Sequence, residues 1–328
     1  MTWLITGGAG FIGAHVVKAM LDAGERVVVY DDLSTGNPAR VPEGVPFVKG
    51  STLDRGQLDR TLSEFGVDGV VHLAAKKQVA ESVALPLHYY RENVHGLQTL
   101  LEAVTAAGAR RFLFSSSAAV YGLPDVDLVT EATPCAPINP YGETKLAGEW
   151  MVRAAGAAHG MATASLRYFN VAGAASPQLA DTGVFNLIPM VFEKLTEGGA
   201  PLIFGDDYAT ADGTCVRDFI HVEDLASAHL AVAGVLGDRG DGSDLTVNIG
   251  RGEGVSVREM IALIGDVAGY GPDAEAAVVA RRPGDPARVV ASADRMREEL
   301  GWTARHEVRE MVASAWEGWC FSHPEARR

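Results

Sequence analysis

The feature that most constrains the fold is a glycine-rich segment near the start of the chain. Thr6-Gly7-Gly8-Ala9-Gly10-Phe11-Ile12-Gly13 follows an apolar run and opens a stretch of helical periodicity. Gly7 permits a tight turn, Gly10 leaves room for a pyrophosphate, and Gly13 lets the helix pack on the strand. The free N–H groups of such a helix N-terminus attract anions. The spacing therefore predicts a dinucleotide-binding turn between a first strand and a first helix.

An acidic residue at the end of the second predicted strand indicates which dinucleotide the turn binds. The Asp31 carboxylate can accept hydrogen bonds from both hydroxyls of an adenosine ribose, and it repels a 2′-phosphate. The sequence therefore predicts NAD in preference to NADP. Arg40, in the following loop, is interpreted as a solvated surface residue, with the alternative that it reaches inward.

Apolar runs alternate with helical segments through the first half, which is typical of βαβ units around a parallel sheet. The predicted strands are Trp3–Thr6, Arg26–Tyr30, Pro46–Val48, Gly69–Ala74, Arg111–Ser115 and Thr163–Tyr168, and the predicted helices are Phe11–Ala23, Asp54–Phe65, Pro86–Ala107 and Pro140–His159. The second half predicts helices near Phe185–Thr196, Val222–Leu236, Val257–Ala268 and His306–Phe321, with short strands near Leu202 and Val289. The fold class is α/β: a Rossmann-type doubly wound parallel sheet with a smaller α/β substrate-binding lobe. We assign residues 1–170 to the first domain, with return segments near 215–250, and 171–328 mainly to the second.

Composition excludes several functions. Lys and Arg number 28 against 42 Asp and Glu, a formal charge of −14 that repels nucleic acid. The chain has no apolar run long enough to cross a bilayer and no secretory signal, so we expect no membrane partner and a cytoplasmic location. The three cysteines are far apart and the nine histidines form no metal-binding motif, so we expect reduced thiols and no metal site.

A tyrosine and a lysine carry the predicted chemistry. In Tyr141-Gly142-Glu143-Thr144-Lys145, the two side chains at i and i+4 share one helix face. An ammonium beside a phenol lowers the phenol pKa, so the pair can exchange a proton with a substrate hydroxyl. Ser117, at the end of the fifth strand, supplies a hydroxyl that completes the proton relay.

The sequence resembles the extended short-chain dehydrogenase/reductase family over essentially its whole length. Besides the glycine segment, the resemblance rests on the segments Ser115–Gly122, Asn139–Gly142, Leu166–Asn170, Asp212–His221 and Arg281–Asp285. It implies that Tyr141 is the catalytic base, that Lys145 tunes it and holds the nicotinamide ribose, and that Ser117 binds the reacting hydroxyl.

The resemblance also implies binding residues on two sides of the site. The cofactor set is Gly7, Gly10, Phe11, Ile12, Gly13, Asp31, Ser34, Thr35, Gly36, Ser51, Thr52, Leu73, Ala74, Ala75, Lys77, Tyr141, Lys145 and Phe169, with Lys77 near the phosphates. The substrate set is Ser117, Tyr141, Asn170, Asn186, Leu187, Leu202, Phe204, Arg217, Arg282, Asp285 and Val289. Within the substrate set, Arg217 and Arg282 resemble the arginines that clamp a diphosphate in this family. Asp285 resembles the acidic residue that lies near the nucleotide.

The activity implied is NAD-dependent epimerisation of a UDP-hexose at C4, with UDP-N-acetylhexosamines as further candidates. A 4,6-dehydratase of the same family requires an Asp-Glu pair after the strand-end hydroxyl, where this chain has Ala118 and Ala119. A non-catalytic NAD sensor is the second alternative, against which the retained Ser117, Tyr141 and Lys145 argue.

Two positions depart from many relatives. Gly50-Ser51-Thr52 replaces a Gly-Asp pair whose Asp faces adenine, so adenine recognition is expected either to be weaker or to be supplied by Ser51. Val289 stands where some relatives have tyrosine. Apolar residues on more than one side of the Pro86–Ala107 helix, and the pairing of this helix in relatives, predict a homodimer.

Overall fold

The computed structural model describes residues 1–237, 239–271, 275–282 and 284–327. The strands, in chain order, are β1 (Thr2–Thr6), β2 (Arg26–Asp31), β3 (Phe47–Lys49), β4 (Gly69–His72), β5 (Arg111–Ser117), β6 (Ala162–Tyr168), β7 (Asn170–Ala172), β8 (Leu202–Phe204), β9 (Val216–His221), β10 (Asp244–Ile249), β11 (Gly254–Ser256), β12 (Ala277–Val279) and β13 (Arg288–Val289). The α-helices are α1 (Phe11–Asp22), α2 (Arg55–Phe65), α3 (Val79–Ala84), α4 (Pro86–Tyr89), α5 (Gly96–Ala107), α6 (Pro140–His159), α7 (Leu187–Thr196), α8 (Val222–Leu236), α9 (Val257–Val267), α10 (Asp294–Leu300) and α11 (Val308–Ser322). None of the helices within these ranges has the length and apolar character needed to cross a membrane.

A seven-stranded parallel sheet forms the centre of the first half. Its strand order is β10-β6-β5-β4-β1-β2-β3, so the chain runs outward from β1 to β3 and then returns to the other side of β1 at β4. The carboxyl ends of β1 and β4 therefore lie beside the topological switch point, where α/β proteins bind ligands. The predicted Rossmann-type class is confirmed.

The sheet is buried on both faces by alternating side chains. Leu4, Val28, Val70 and Phe112 lie in register on one face and pack with α2 and α5. Their neighbours Ile5, Val29, Val71 and Leu113 face the other side, against α1 and α8. This two-sided burial explains the nearly continuous apolar runs of these strands.

A smaller lobe lies over the carboxyl ends of the strands. β9 pairs with β7, β11 and β13, and β8 pairs with β12. A separate apolar cluster packs α7, α9 and α11 together around Phe192, Ile264 and Trp319. Because β7 continues directly from β6, substrate-side residues on β7 and β9 are held at the edge of the main sheet.

The structure corrects the predicted elements at two places. The predicted strand Gly69–Ala74 ends at His72, and the predicted helix Pro86–Ala107 is interrupted by a π-helical turn, Tyr90–His95. Strands β7, β9, β10, β11 and β12 and the short helices α3 and α10 had not been predicted. β10 nevertheless joins the main sheet beside β6 over six paired residues, Asp244 to Ile249.

Candidate active site

The glycine turn has the shape expected of a phosphate-binding site. Gly7 has φ +72°, and a Cβ added there would lie 2.7 Å from the Ala74 nitrogen. A Cβ at Gly13 would lie 2.8 Å from the carbonyl carbon of Gly7 and nearer still to its oxygen. No described side chain caps α1 at Gly10, so its first N–H groups face the turn. These features fit a dinucleotide pyrophosphate.

Asp31 lies at the end of β2 and stabilises this turn from the side. Its carboxylate accepts hydrogen bonds from the Ala9 nitrogen at 3.0 Å and the Leu33 nitrogen at 2.8 Å. Burial raises the pKa of this carboxyl, and the two backbone donors oppose that rise. Leu33 adopts φ 62°, which is strained for a branched residue. Because each carboxylate oxygen can accept a second hydrogen bond, the geometry still fits ribose hydroxyls.

The other predicted cofactor residues lie on loops that border the turn. Leu73 and Ala74 touch Gly7, and a Cβ at Gly36 would lie 2.7 Å from the Asp31 carboxylate. Ser51 accepts a hydrogen bond from Tyr30 at its carbonyl, and the Thr52 hydroxyl packs against Gly96. Ile12, Thr35 and Ala75 belong to the same turn and loops.

Two adjacent lysines differ in their contacts. Lys76 donates from Nζ to the Ser34 hydroxyl at 3.1 Å, whereas the predicted residue, Lys77, is exposed. Asn93 in the π-helical turn holds the Lys76 backbone: its Oδ1 accepts from the Lys76 nitrogen and its Nδ2 donates to the Lys76 oxygen, at 2.8 and 3.0 Å. Asn93 also donates to Thr144 on α6. Sequence reasoning missed Asn93; a polar residue inside an apolar helical run was the available signal.

Helix α6 brings Tyr141 and Lys145 to the end of β5. Asn139 caps the helix by accepting from the Gly142 nitrogen at 2.9 Å, and Pro140 occupies its first turn. A Cβ at Gly142 would lie 2.6 Å from the Ala119 oxygen, so this glycine allows the helix to approach the turn that follows Ser117. The three predicted catalytic residues therefore lie together.

Burial dominates the electrostatics of the catalytic pair. It raises the pKa of Tyr141, and a hydrogen bond with Ser117 opposes this rise. It lowers the pKa of Lys145 to about 7, against the opposing charge of Glu149. The expected net lowering of the Tyr141 pKa is wrong, because burial of the phenol outweighs the attraction of an ammonium that lies near the ring without touching the hydroxyl. Lys145 Nζ lies 5.9 Å from the Tyr141 ring centroid and donates instead to the Ser115 carbonyl at 2.7 Å.

Three predicted substrate residues share one cavity with the cofactor turn. Asn170, Asn186 and Leu187 line it, together with Phe11 of the glycine segment and Trp319 of α11. Asn170 donates to the Asp218 carbonyl at 3.0 Å, and Asn186 is exposed where α7 begins. The cavity therefore connects the pyrophosphate turn with the smaller lobe.

The predicted diphosphate clamp forms a second group. Arg217 on β9 pairs with Asp285 at 2.8 Å, and the Arg282 guanidinium lies 3.7 Å from the Phe204 ring centroid. Leu202, two residues before Phe204, is half-exposed on β8. Of the predicted Arg281–Asp285 motif, Pro283 lies outside the described residues.

Phe169 and Val289 pack in one small apolar cluster. Val289 on β13 is paired in register with Arg217, and both Val289 and Phe169 are buried, with Tyr121 and Leu146 beside them. Leu146 follows Lys145 on α6, so this cluster joins the catalytic helix to the substrate lobe.

Arg40 is not the surface residue that the sequence suggested. It is buried and donates from its guanidinium to the Ala180 carbonyl at 2.5 Å. Burial lowers its pKa, and Asp181 opposes that change. Arg40 reaches inward, but to the 177–182 loop.

A group of possible metal ligands is formed by His221, Glu223 and His306. The two imidazoles stack with centroids 4.2 Å apart and planes 20° apart, so their lone pairs run parallel and do not converge. His221 Nδ1 already accepts from the Glu223 nitrogen at 3.1 Å. This geometry suits a ring stack better than a metal ion, and the expectation of no metal stays a prediction.

A dinucleotide-binding turn at the switch point of a parallel sheet, beside Ser117 and the buried Tyr141 and Lys145, defines an enzyme of the extended short-chain dehydrogenase/reductase type. The comparisons agree. The chain belongs to the NAD dependent epimerase/dehydratase family, whose profile matches residues 3–250.

Similar proteins share nearly the whole chain. A UDP-glucose 4-epimerase of Azospirillum brasilense is 46% identical over 321 residues, which are 96% of this chain and 91% of that protein. The structure of UDP-glucose 4-epimerase from Bifidobacterium longum, in complex with NAD+ and UDP, is similar with a TM-score of 0.91 and 36% identity, covering 99% of this chain and 100% of that one. The UDP-Glc/GlcNAc 4-epimerase of Campylobacter jejuni gives a TM-score of 0.85 at 36% identity, covering 97% and 99%.

Proposed function

We propose that the chain is a UDP-glucose 4-epimerase that interconverts UDP-glucose and UDP-galactose with NAD as its cofactor. The observation that carries this proposal is the convergence of Ser117, Tyr141 and Lys145 at the carboxyl end of β5, beside the glycine turn. The relatives named above support the choice of substrate. Cytoplasmic location stays a prediction that cell fractionation can test.

The residues that would hold NAD are those of the glycine turn, Asp31 and Lys145. When bound, NAD supplies reversible hydride exchange at C4 of the sugar. Tyr141 takes the proton from the 4-hydroxyl and returns it, and the Ser117 hydroxyl orients that oxygen by hydrogen bonding. Lys145 contributes a buried positive charge that favours the phenolate.

Inversion requires firm anchoring of the nucleotide and loose contacts to the sugar. Arg217 and Arg282 provide guanidinium donors for the diphosphate in an otherwise acidic protein. The 4-keto sugar can then turn about its diphosphate linkage and present its other face. Asn170, Asn186 and Leu187 line the cavity beside it.

A dehydratase needs an acid next to the strand-end hydroxyl. The residues that follow Ser117 are Ala118 and Ala119, and the Ser117 oxygen accepts from the Ala119 nitrogen at 3.2 Å. Neither alanine can protonate a leaving hydroxyl, so epimerisation is the chemistry that this site favours.

The test is Tyr141→Phe in a coupled assay for UDP-galactose conversion. We expect the variant to fold, to retain NAD and to lose at least about 100-fold in kcat, because a general acid–base group is removed. Tyr270→Phe, which removes the hydroxyl of a tyrosine packed against Trp316 in the smaller lobe, is the matched control. Activity of Tyr141→Phe within a few-fold of wild type would mean that the assigned base is wrong.

We also propose a homodimer, on a narrower basis than the sequence suggested. Most of the apolar residues of the predicted long helix are buried within the chain, among them Tyr89, Leu97, Leu100 and Val104. The exposed apolar surface lies instead on α3, α4 and the neighbouring α6. It comprises Val79, Val83, Leu85, Leu87, Tyr90 and Trp150. Clusters of exposed apolar side chains on a protein surface are typical of subunit contacts.

Leu87 is the best probe of this surface because its side chain is 81% exposed. We expect light scattering at micromolar concentration to give a dimer for wild type and for Leu123→Glu, the control at another exposed leucine. Leu87→Glu should shift the mass toward the monomer because it buries a charge in the interface. A monomeric wild type would reject the dimer.

A further inference from the structure

A buried ion pair lies behind the catalytic lysine, and the proposed chemistry leaves it without a role. Glu149 follows Lys145 by one turn of α6 and is 5% exposed, and Arg167 on β6 is 7% exposed. Arg167 donates to the two carboxylate oxygens from Nε at 2.8 Å and from Nη2 at 2.6 Å. The Ser116 hydroxyl donates to the same carboxylate. Glu149 is therefore fixed by strands β5 and β6.

The pair is anchored by a longer chain of hydrogen bonds. Arg167 Nη1 donates to the Tyr121 hydroxyl at 3.0 Å, and Tyr121 donates to Asn248 Oδ1 at 2.7 Å. The Asn248 nitrogen on β10 donates to Glu131 at 2.7 Å. A buried ion pair is often no more stabilising than an apolar pair of the same size. Its presence at this position therefore calls for a role other than stability.

Lys145 has a specific relation to this pair. Positions 145 and 149 are i and i+4 and share one face of α6. Lys145 Nζ donates to the Ser115 carbonyl, and the next residue of β5, Ser116, donates to Glu149. Two consecutive strand residues thus fix the ammonium and its anionic neighbour. Burial lowers the pKa of Lys145 to about 7, and Glu149 acts against that change.

We propose that Glu149 is a positioning residue that acts on the Lys145 ammonium from one helical turn away and keeps its positive charge in the buried site, with Arg167 and Ser116 fixing the direction of the carboxylate. This inference rests on the proposed function for its catalytic consequence. Without Glu149, Lys145 would lose a compensating negative charge while remaining buried, and the neutral amine would no longer favour the Tyr141 phenolate.

Other titratable groups face the same region and belong in the interpretation of any pH profile. They are Tyr141 on α6, His72 on β4, Arg167 and Tyr168 on β6, and Cys135 in the loop before α6. Burial lowers the pKa of His72 to about 3, and the positive charge of Lys145 also lowers it. His72 is therefore neutral over the range in which Lys145 titrates.

The test compares wild type with Glu149→Gln/Arg167→Met. Glu149→Gln alone would leave Arg167 unpaired in a buried site, whereas the double variant removes both charges. The NAD-loaded proteins are labelled with ¹³C at lysine Cε, and the pKa of Lys145 is read from its chemical shift. The chain has six lysines, and Lys145→Arg identifies the signal. We expect the Lys145 pKa to fall by about half a unit or more, roughly three-fold in its proton affinity, because the loss of the Arg167 charge offsets part of the loss of the Glu149 charge.

The catalytic readout separates this role from a structural one. The alkaline limb of the kcat profile should move to lower pH with the Lys145 titration, while the KM for UDP-glucose stays within about three-fold. Glu131→Gln is the matched control, since it removes a charge at the far end of the same chain of hydrogen bonds. It should leave the Lys145 pKa unchanged.

Two results would overturn the inference. One is a folded double variant in which Lys145 titrates as in wild type. The other needs only the wild type: Lys145 deprotonating below about pH 6 would show that Glu149 does not maintain its charge. If wild type fails to epimerise UDP-glucose, the proposed function falls, while the Lys145 titration still decides the role of Glu149.

Discussion

Gly13→Ala should damage both stability and NAD binding. The new methyl carbon would lie 2.8 Å from the Gly7 carbonyl carbon and from the Gly8 Cα, well inside van der Waals contact. The atoms it meets are backbone, so no side chain can rotate away. Overpacking of this kind costs about 1–3 kcal/mol. Relief requires α1 to move away from the glycine turn, which also disturbs the N–H groups proposed to hold the pyrophosphate.

Gly56→Ala is the matched control, because it makes the same substitution in α2. There the nearest atom to an added Cβ is the tip of Arg60 at 3.6 Å. Alanine is the better helix former by roughly 0.5–1 kcal/mol, so this variant should be neutral or slightly more stable. For a chain of this size, we expect Gly13→Ala to lower the Tm by several degrees, at about 2–4 °C per kcal/mol.

The assay is thermal unfolding with and without added NAD, together with NAD affinity by titration. A loss of about 1.4 kcal/mol in binding corresponds to a ten-fold higher Kd, and we expect at least that for Gly13→Ala. The reasoning is refuted if Gly13→Ala has the same Tm as Gly56→Ala and binds NAD with the affinity of wild type. A lower Tm with unchanged affinity would separate packing of α1 from the proposed cofactor site.

Two further predictions concern titration and cofactor contacts. Burial lowers the pKa of His15, His221 and His229 to about 4 and that of His72 to about 3. Since these values lie below the ordinary 6.5, the folded state binds fewer protons than the unfolded state, and stability present above pH 6.5 should be lost as pH falls toward 4. His229→Gln should flatten this dependence and exposed His159→Gln should not, as Tm measured against pH would show. Lys77→Met should raise the Kd for NAD by about ten-fold and Lys76→Met by less than about three-fold; the reverse order would assign the phosphate contact to Lys76.

The parts of the fold and site that depend on short segments were predictable from sequence. The glycine turn, Asp31 and the Tyr141/Lys145 spacing are each contained in one strand–turn–helix unit, and the structure places them at one edge of the sheet. The pairing of β9 with β7 and β13 was not predictable, because it joins segments far apart in sequence. The strand Val216–His221 also contains adjacent charged residues, which are more typical of a binding motif than of a strand.

Electrostatics were the least predictable feature of the site. The Tyr141/Lys145 spacing suggests an ammonium beside a phenol, but the Lys145 side chain points to the Ser115 carbonyl. The Glu149–Arg167 pair joins α6 to β6. In the sequence, each of the two residues by itself resembles an ordinary surface charge. Arg40 was misread for the same reason, since its partner lies in the 177–182 loop. Burial and long-range partners set these properties, and neither is local in sequence.

Val289 bears on which sugars fit. It stands where some relatives have tyrosine, and in the structure it is buried beside Phe169 and Leu146, with Arg217 paired to it across β9 and β13. Valine is smaller than tyrosine, so a tyrosine ring at this position would take up additional volume between the catalytic helix and the diphosphate clamp. We therefore predict that wild type converts UDP-N-acetylgalactosamine as well as UDP-galactose.

Val289→Tyr should remove that breadth. Steric overlap of a few heavy atoms in a packed pocket is worth about 1–3 kcal/mol, or roughly 10- to 100-fold in the ratio of kcat/KM for the two sugars. The ratio is its own control, because general overpacking of the cluster around Phe169 lowers both values together, whereas a clash with the N-acetyl group lowers only one. If wild type rejects the N-acetyl sugar, or if the ratio is the same in Val289→Tyr, then Val289 fills the core and the determinant of sugar size lies on another element.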